Sequence, residues 1–94
     1  QITDRGMQEL AGFTRLKKLA LGNTRVTDDG LAQLKHLPAI EEIELTETKI
    51  TDAGLKHLTG LSKLRSLWIS KCAVSEDGPV ELKKVLPGLR VNER

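Results

Sequence analysis

The 94 residues hold 15 Lys and Arg against 13 Asp and Glu, a net charge of +2, with 38% hydrophobic residues, enough for one domain with a modest core. No apolar run approaches the ~18 residues that cross a membrane, no charged-apolar-small leader opens the sequence, and the basic residues are dispersed among acidic ones instead of forming a stripe for nucleic acid. One Phe, one Trp and no Tyr leave an aliphatic core, and the single Cys72 cannot form an internal disulfide, so the sequence indicates no oxidising compartment and assigns none.

The first element begins a phrase that returns every 24 positions. Ile2, Val26, Ile50 and Val74 are each followed by Thr-Asp or Ser-Glu, and Gly6, Gly30, Gly54 and Gly78 stand four positions on. The register continues through Leu10, Leu34, Leu58 and Leu82, and through Leu19, Ile43 and Leu67. In the first copy Thr3 reads as a helix N-cap accepting from the Gly6 N–H, with Asp4 complementing the positive end of the helix dipole. Ile2 and Met7 form a hydrophobic staple, and Met7, Leu10 and Phe13 face the core. Residues 17–22 alternate as a strand with Leu19 and Leu21 inward.

In the second copy Thr27 caps, Val26 staples to Leu31, and Leu31, Leu34 and Leu37 turn inward before Pro38 ends the helix. The strand is expected at 42–46. The third copy repeats this with Thr51, with Ile50 stapled to Leu55, and with a strand at 66–70. The fourth departs: Pro79 stands where the staple residue should be and is expected to open a helix over 79–86. Pro87-Gly88 stop that helix, and 89–91 form a terminal strand. Leu89 lies 25 positions after Leu64, so one residue has been inserted.

These units organise residues 1–94 as one domain with repeats 2–25, 26–49 and 50–73 and a degenerate cap at 74–94. Stacking puts equivalent strands side by side in a parallel sheet about 4.8 Å apart, with the helices on the opposite side. Each unit needs its neighbours to bury its apolar face, and about three are needed for stability. The first copy opens without a polar cap, whereas the last is charged and irregular. The domain is therefore expected to be the C-terminal part of a longer chain, and its uncapped first repeat to permit self-association.

A 24-residue period carrying L-x-x-L-x-L-x-x-T together with I-T-D-x-G-L resembles the leucine-rich repeat superfamily over essentially the whole chain. The nearest likeness is to long bacterial arrays built from this phrase, and a more distant one is to the cysteine-containing repeats of F-box proteins. Those carry Cys where Thr24 and Thr48 stand here; only Cys72 matches. The resemblance implies an α/β right-handed solenoid with a concave parallel sheet and convex helices. It further implies recognition of a protein or peptide through the concave face, and neither a shared catalytic residue nor a cofactor. It leaves two alternatives: a structural terminal segment of a longer solenoid whose function lies in another domain, and, more remotely, the substrate-receptor part of a ubiquitin ligase.

On the concave face the outward strand positions form rows: Lys18, Glu42, Ser66; Ala20, Glu44, Trp68; Gly22, Thr46, Ser70. Trp68 stands out, because alternation between inward Leu67 and Ile69 sends its indole outward and exposed Trp is enriched at interface hot spots. Its alternative is a filler packed over Ala20 and the stem of Arg90. The candidate contact surface is Trp68, Glu44, Ser66, Ser70, Glu42 and Thr46, with a protein or peptide as partner and neither nucleic acid nor membrane. Glu41, Glu42 and Glu47 read as cross-strand partners of Lys17 and Arg65, of Lys18, and of Lys71, respectively. Glu44 lacks a basic row neighbour and is available to a cationic ligand. His36 and His57 lack zinc-pair spacing, Cys72 reads as a buried core thiol, and the glycine column reads as room for tight packing between turns rather than a phosphate loop.

Overall fold

The 24-residue period becomes one turn of a coil laid against the next. The computed structural model describes Gly6, Gly12 and residues 15–92. The expected cap at Thr3 with Asp4, the Ile2–Met7 staple, the inward Leu10 and Phe13 and the uncapped N-terminal turn lie outside the described residues. Strands β1 (Lys18–Ala20), β2 (Glu42–Glu44), β3 (Ser66–Trp68) and β4 (Arg90–Asn92) form one parallel sheet in sequence order. Leu19 pairs with Ile43, Ile43 with Leu67 and Leu67 with Val91, 24 positions at every step.

Each strand has three residues, and β1, β2 and β3 stop two residues or so short of the alternating pattern. Beyond them the chain leaves the sheet for a turn centred on Asn23, Glu47 and Lys71, whose φ angles of 55°, 60° and 60° are left-handed. Only the Asn at 23 hints at this conformation, since Glu and Lys rarely adopt it. In the fourth unit the inserted residue is taken back before the strand. Leu89 stands two positions ahead of Val91 where Leu64 stands three ahead of Leu67, and the sheet register is preserved.

The helices are shorter than the apolar spacing predicts. Helix α1 (Asp28–Leu31) and helix α2 (Asp52–Leu55) are single turns, continued by 3₁₀ segments over Ala32–His36 and Lys56–Leu58. The leucines supply the reason: Leu31, Leu34 and Leu37, and Leu55, Leu58, Leu61 and Leu64, are spaced by three, and a 3₁₀ helix eclipses side chains at that spacing. All seven are buried, as are the staple pairs Val26 with Leu31 and Ile50 with Leu55. Helix α3 (Asp77–Val85) begins two residues ahead of Pro79, which still falls in the first turn, where a backbone N–H has no helical acceptor to lose.

Between turns, the outer edge is stitched by carboxylates. Asp28 accepts the Thr51 backbone N–H at 2.7 Å and the Thr51 hydroxyl at 2.5 Å, and Asp52 accepts the same two groups of Ser75 at 2.8 and 2.5 Å. A Cβ on Gly54 would stand 2.2 Å from Asp28 Oδ1, and one on Gly78 2.3 Å from Asp52 Oδ1. The Thr, Asp and Gly columns are thus one device: each Asp closes onto the hydroxyl residue and the glycine of the following unit. The Thr51 hydroxyl also accepts the Ala53 N–H at 3.2 Å, capping α2, whereas the Thr27 side chain makes no cap bond to α1.

Thr24 and Thr48 donate from their hydroxyls to the carbonyls of Leu21 and Leu45 at 2.7 and 2.8 Å. Cys72, in the same column, is half-buried instead of fully buried. Its Sγ donates to Leu45 O, at 3.0 Å, in the preceding unit.

Candidate functional site

Two rows of side chains cross the concave face. Lys18, Glu42, Ser66 and Arg90 make the first; Ala20, Glu44, Trp68 and Asn92 make the second. The inward row between them, Leu19, Ile43, Leu67 and Val91, is fully buried at its middle pair, so the pleat sends the two flanking rows outward. Trp68 is half-buried, in register with Glu44 on one side and Asn92 on the other; Arg90 faces Ser66 instead. A shallow hollow of about 320 Å³ is lined by Lys18, Leu19, Ala20, Glu42, Glu44 and Trp68.

The carboxylates on and around this face are already engaged. Glu42 pairs with Lys18 at 3.4 Å, Glu41 with Arg65 at 3.2 Å rather than with Lys17, and Glu47 with Lys71 at 3.5 Å. All three are solvent-facing pairs that fix register more than they stabilise, at about 0–1 kcal/mol each. Glu44, expected to be available to a cation, is held by the backbone. Its Oε1 accepts the Gly22 N–H and its Oε2 the Thr46 N–H, each at 2.9 Å. The carboxylate lies directly over Gly22, where a Cβ would come within 2.3 Å of Oε1. Its charge is spent on two backbone N–H groups just past the ends of β1 and β2.

Ser66 lies half-buried between Glu42 and Arg90. Thr46 stands past the end of β2, its N–H given to Glu44 and its carbonyl accepting the Asn23 N–H at 2.7 Å. Ser70 corrects its expected place in the contact surface: it is 5% exposed, two residues beyond the end of β3, in the turn that leads to left-handed Lys71, where outward alternation no longer holds. Its hydroxyl has no hydrogen-bond partner among the described residues. Glu42, Glu44, Ser66 and Trp68 thus share the two outward rows, Thr46 stands at their margin, and the buried Ser70 lies outside them. Sequence reasoning missed Arg90 as a row member, because the inserted residue hid that it lies 24 positions after Ser66.

Among the described residues no group of three His, Cys, Asp or Glu side chains comes together, and no helix is long and apolar enough to cross a membrane. His36 and His57 are both exposed.

Comparison with known proteins agrees with this geometry. The Leucine rich repeat family matches residues 14–74, and the chain belongs to that family. A crystal structure of an internalin from Listeria monocytogenes is similar in fold, with a TM-score of 0.63 over 93% of this chain at 13% sequence identity. The chain spans 31% of that internalin chain. No curated protein matches at a significant level. Domains of this family are generally non-catalytic binding modules and typically bind proteins.

Proposed function

We propose that this domain is a non-catalytic module that binds a protein or peptide segment on its concave sheet, with Trp68 as the central anchor and Glu42 and Ser66 beside it. The observation that carries this reading is the hollow between Trp68 and Ala20. It offers an aromatic wall and apolar atoms of Ala20 and Leu19 beside the Lys18–Glu42 ion pair. Tryptophan is the residue type most concentrated in interface hot spots, and a cleft lets a partner's apolar side chain leave water on several sides at once. Glu44 serves the site from beneath, by holding the ends of β1 and β2, and Thr46 forms its margin. A protein segment fits better than nucleic acid, because Lys18 on β1 and Arg65 just ahead of β3 are paired with neighbouring carboxylates.

Selection of random twelve-residue peptides displayed on phage against the folded domain tests this. Binders are expected to weaken at least tenfold on Trp68→Ala and to be unchanged on Lys56→Glu, a convex-side control. Trp68→Ala should cost about 2 kcal/mol of stability, read by denaturant unfolding, since much of the indole's apolar area is covered, and its binding is measured under conditions where unfolding curves show it folded. Binders indifferent to Trp68→Ala, or a selection that enriches nothing, would count against the concave reading.

A further inference from the structure

The hollow beside Trp68 does not end the concave surface. A second hollow, of about 410 Å³, adjoins it and is lined by Arg65, Ser66, Gly88 and Arg90, with Glu42 forming the wall common to both. The two differ in character. The first is bounded by Trp68, Ala20 and Leu19; the second lies between two guanidinium groups and a hydroxyl. Charge is not balanced in the second. Glu42 is matched by Lys18, and Arg65 by Glu41, but among the described residues Arg90 has no carboxylate within ion-pair distance. Arg90 is exposed at the concave edge of β4, next to Ser66 in the first row. Its side chain and the free edge of the Arg65 guanidinium leave a place for one incoming carboxylate, which each can bind through planar N–H pairs.

Resting on the concave reading above, we infer that the bound segment is an extended peptide of a partner protein carrying an acidic side chain two positions from an apolar one. The spacing follows from sheet geometry. Arg90 sits one strand over from Trp68 and two residues along, a diagonal of about 8 Å given a rise of ~3.3 Å per residue and ~4.8 Å between strands. In an extended segment the side chains on one face recur every ~6.6–6.8 Å, so the second neighbour spans the two hollows and the fourth overshoots. The apolar side chain enters beside Trp68 and the carboxylate reaches Arg90 and Arg65. Glu42 on the shared wall repels a ligand with many negative charges, such as nucleic acid, while tolerating a single carboxylate whose charge Arg90 meets.

The test uses the displayed-peptide binders and synthetic copies of them, measured by fluorescence anisotropy of a labelled peptide on wild type, Trp68→Ala, Arg90→Glu and Arg90→Lys. Enriched sequences are expected to place Asp or Glu two positions from Leu, Ile, Phe or Met. Changing that acid to its amide should weaken binding about tenfold at low salt, and moving it to one, three or four positions away should weaken it similarly. Arg90→Glu should match the amide change, while Arg90→Lys should weaken binding about threefold, keeping the charge and losing the planar N–H pair. Raising salt should weaken the acidic peptide and leave its amide version nearly unmoved. Binders that fail on Trp68→Ala but show no acidic preference and no response to Arg90→Glu would overturn this inference and leave the concave reading standing. Binders indifferent to Trp68→Ala, or no binders at all, would overturn both. Tighter capture of a twelve-nucleotide oligothymidylate than of any peptide would also overturn it.

Discussion

The outer edge and the concave face of this solenoid are built from the same 24-residue units and obey opposite rules. At the outer edge, Asp28 closes onto Thr51 and Gly54, and Asp52 closes onto Ser75 and Gly78, with distances that agree within about 0.1 Å. On the concave face no strand repeats another: Lys18 and Ala20, Glu42 and Glu44, Ser66 and Trp68, Arg90 and Asn92 occupy equivalent places. Where a residue's neighbour is the next copy of its own unit, geometry permits one solution, and the sequence repeats it. Where the neighbour is solvent or a partner, the position is released from the period, and what appears there is particular to the unit.

Substitutions sharpen this contrast. The largest loss is expected from Gly54→Ala, whose methyl would drive into the Asp28 carboxylate and also meet Leu31 Cδ1 at 3.0 Å. It should cost about 2–3 kcal/mol in denaturant unfolding, because both the carboxylate's bonds and the packing must give. Asp28→Ala comes next, at about 2 kcal/mol, since the Thr51 N–H and hydroxyl both lose a charged acceptor in a half-buried setting. On the concave face, Glu44→Gln should cost about 1 kcal/mol, because an amide offers one oxygen where two N–H groups wait. The smallest effect has the opposite sign. Lys71→Gly should stabilise by about 0.5 kcal/mol, as relief of the left-handed φ outweighs the entropy of glycine and the loss of an exposed ion pair to Glu47. An outer-edge substitution milder than the concave one would break the comparison.

The fold was legible in the sequence wherever it depends on period: the parallel register, the inward leucines, the staples and the crowding at the glycine column all follow from columns 24 apart. The details that escaped depend on contacts between units. The column of Asp4 suggested only a residue that complements the dipole of its own helix, and stacking is what shows that Asp28 and Asp52 in that column have partners 23 positions later. The turns at Glu47 and Lys71 carry no glycine to betray them. Within the candidate site, Trp68 and Glu42 were legible from alternation. Glu44 was not, because its partners are backbone N–H groups that leave no trace in residue type. Ser70 misled for a related reason: alternation has meaning only while the strand lasts, and β3 ends at Trp68.

The carboxylate stitching also gives the stack a polarity. In each joint the acceptor belongs to the earlier unit and the donors to the later one, so the units join head to tail. A chain in which the unit at 50–73 preceded the unit at 26–49 would still find Asp52 facing Thr27 and Gly30, the same residue types in the same order. The unit that starts at Val74 presents Glu76 at that position, one methylene longer and placed ahead of a nine-residue helix instead of a single turn. The interchangeable units are thus those that carry Asp, and the order in which this chain can be recombined is written in that one column.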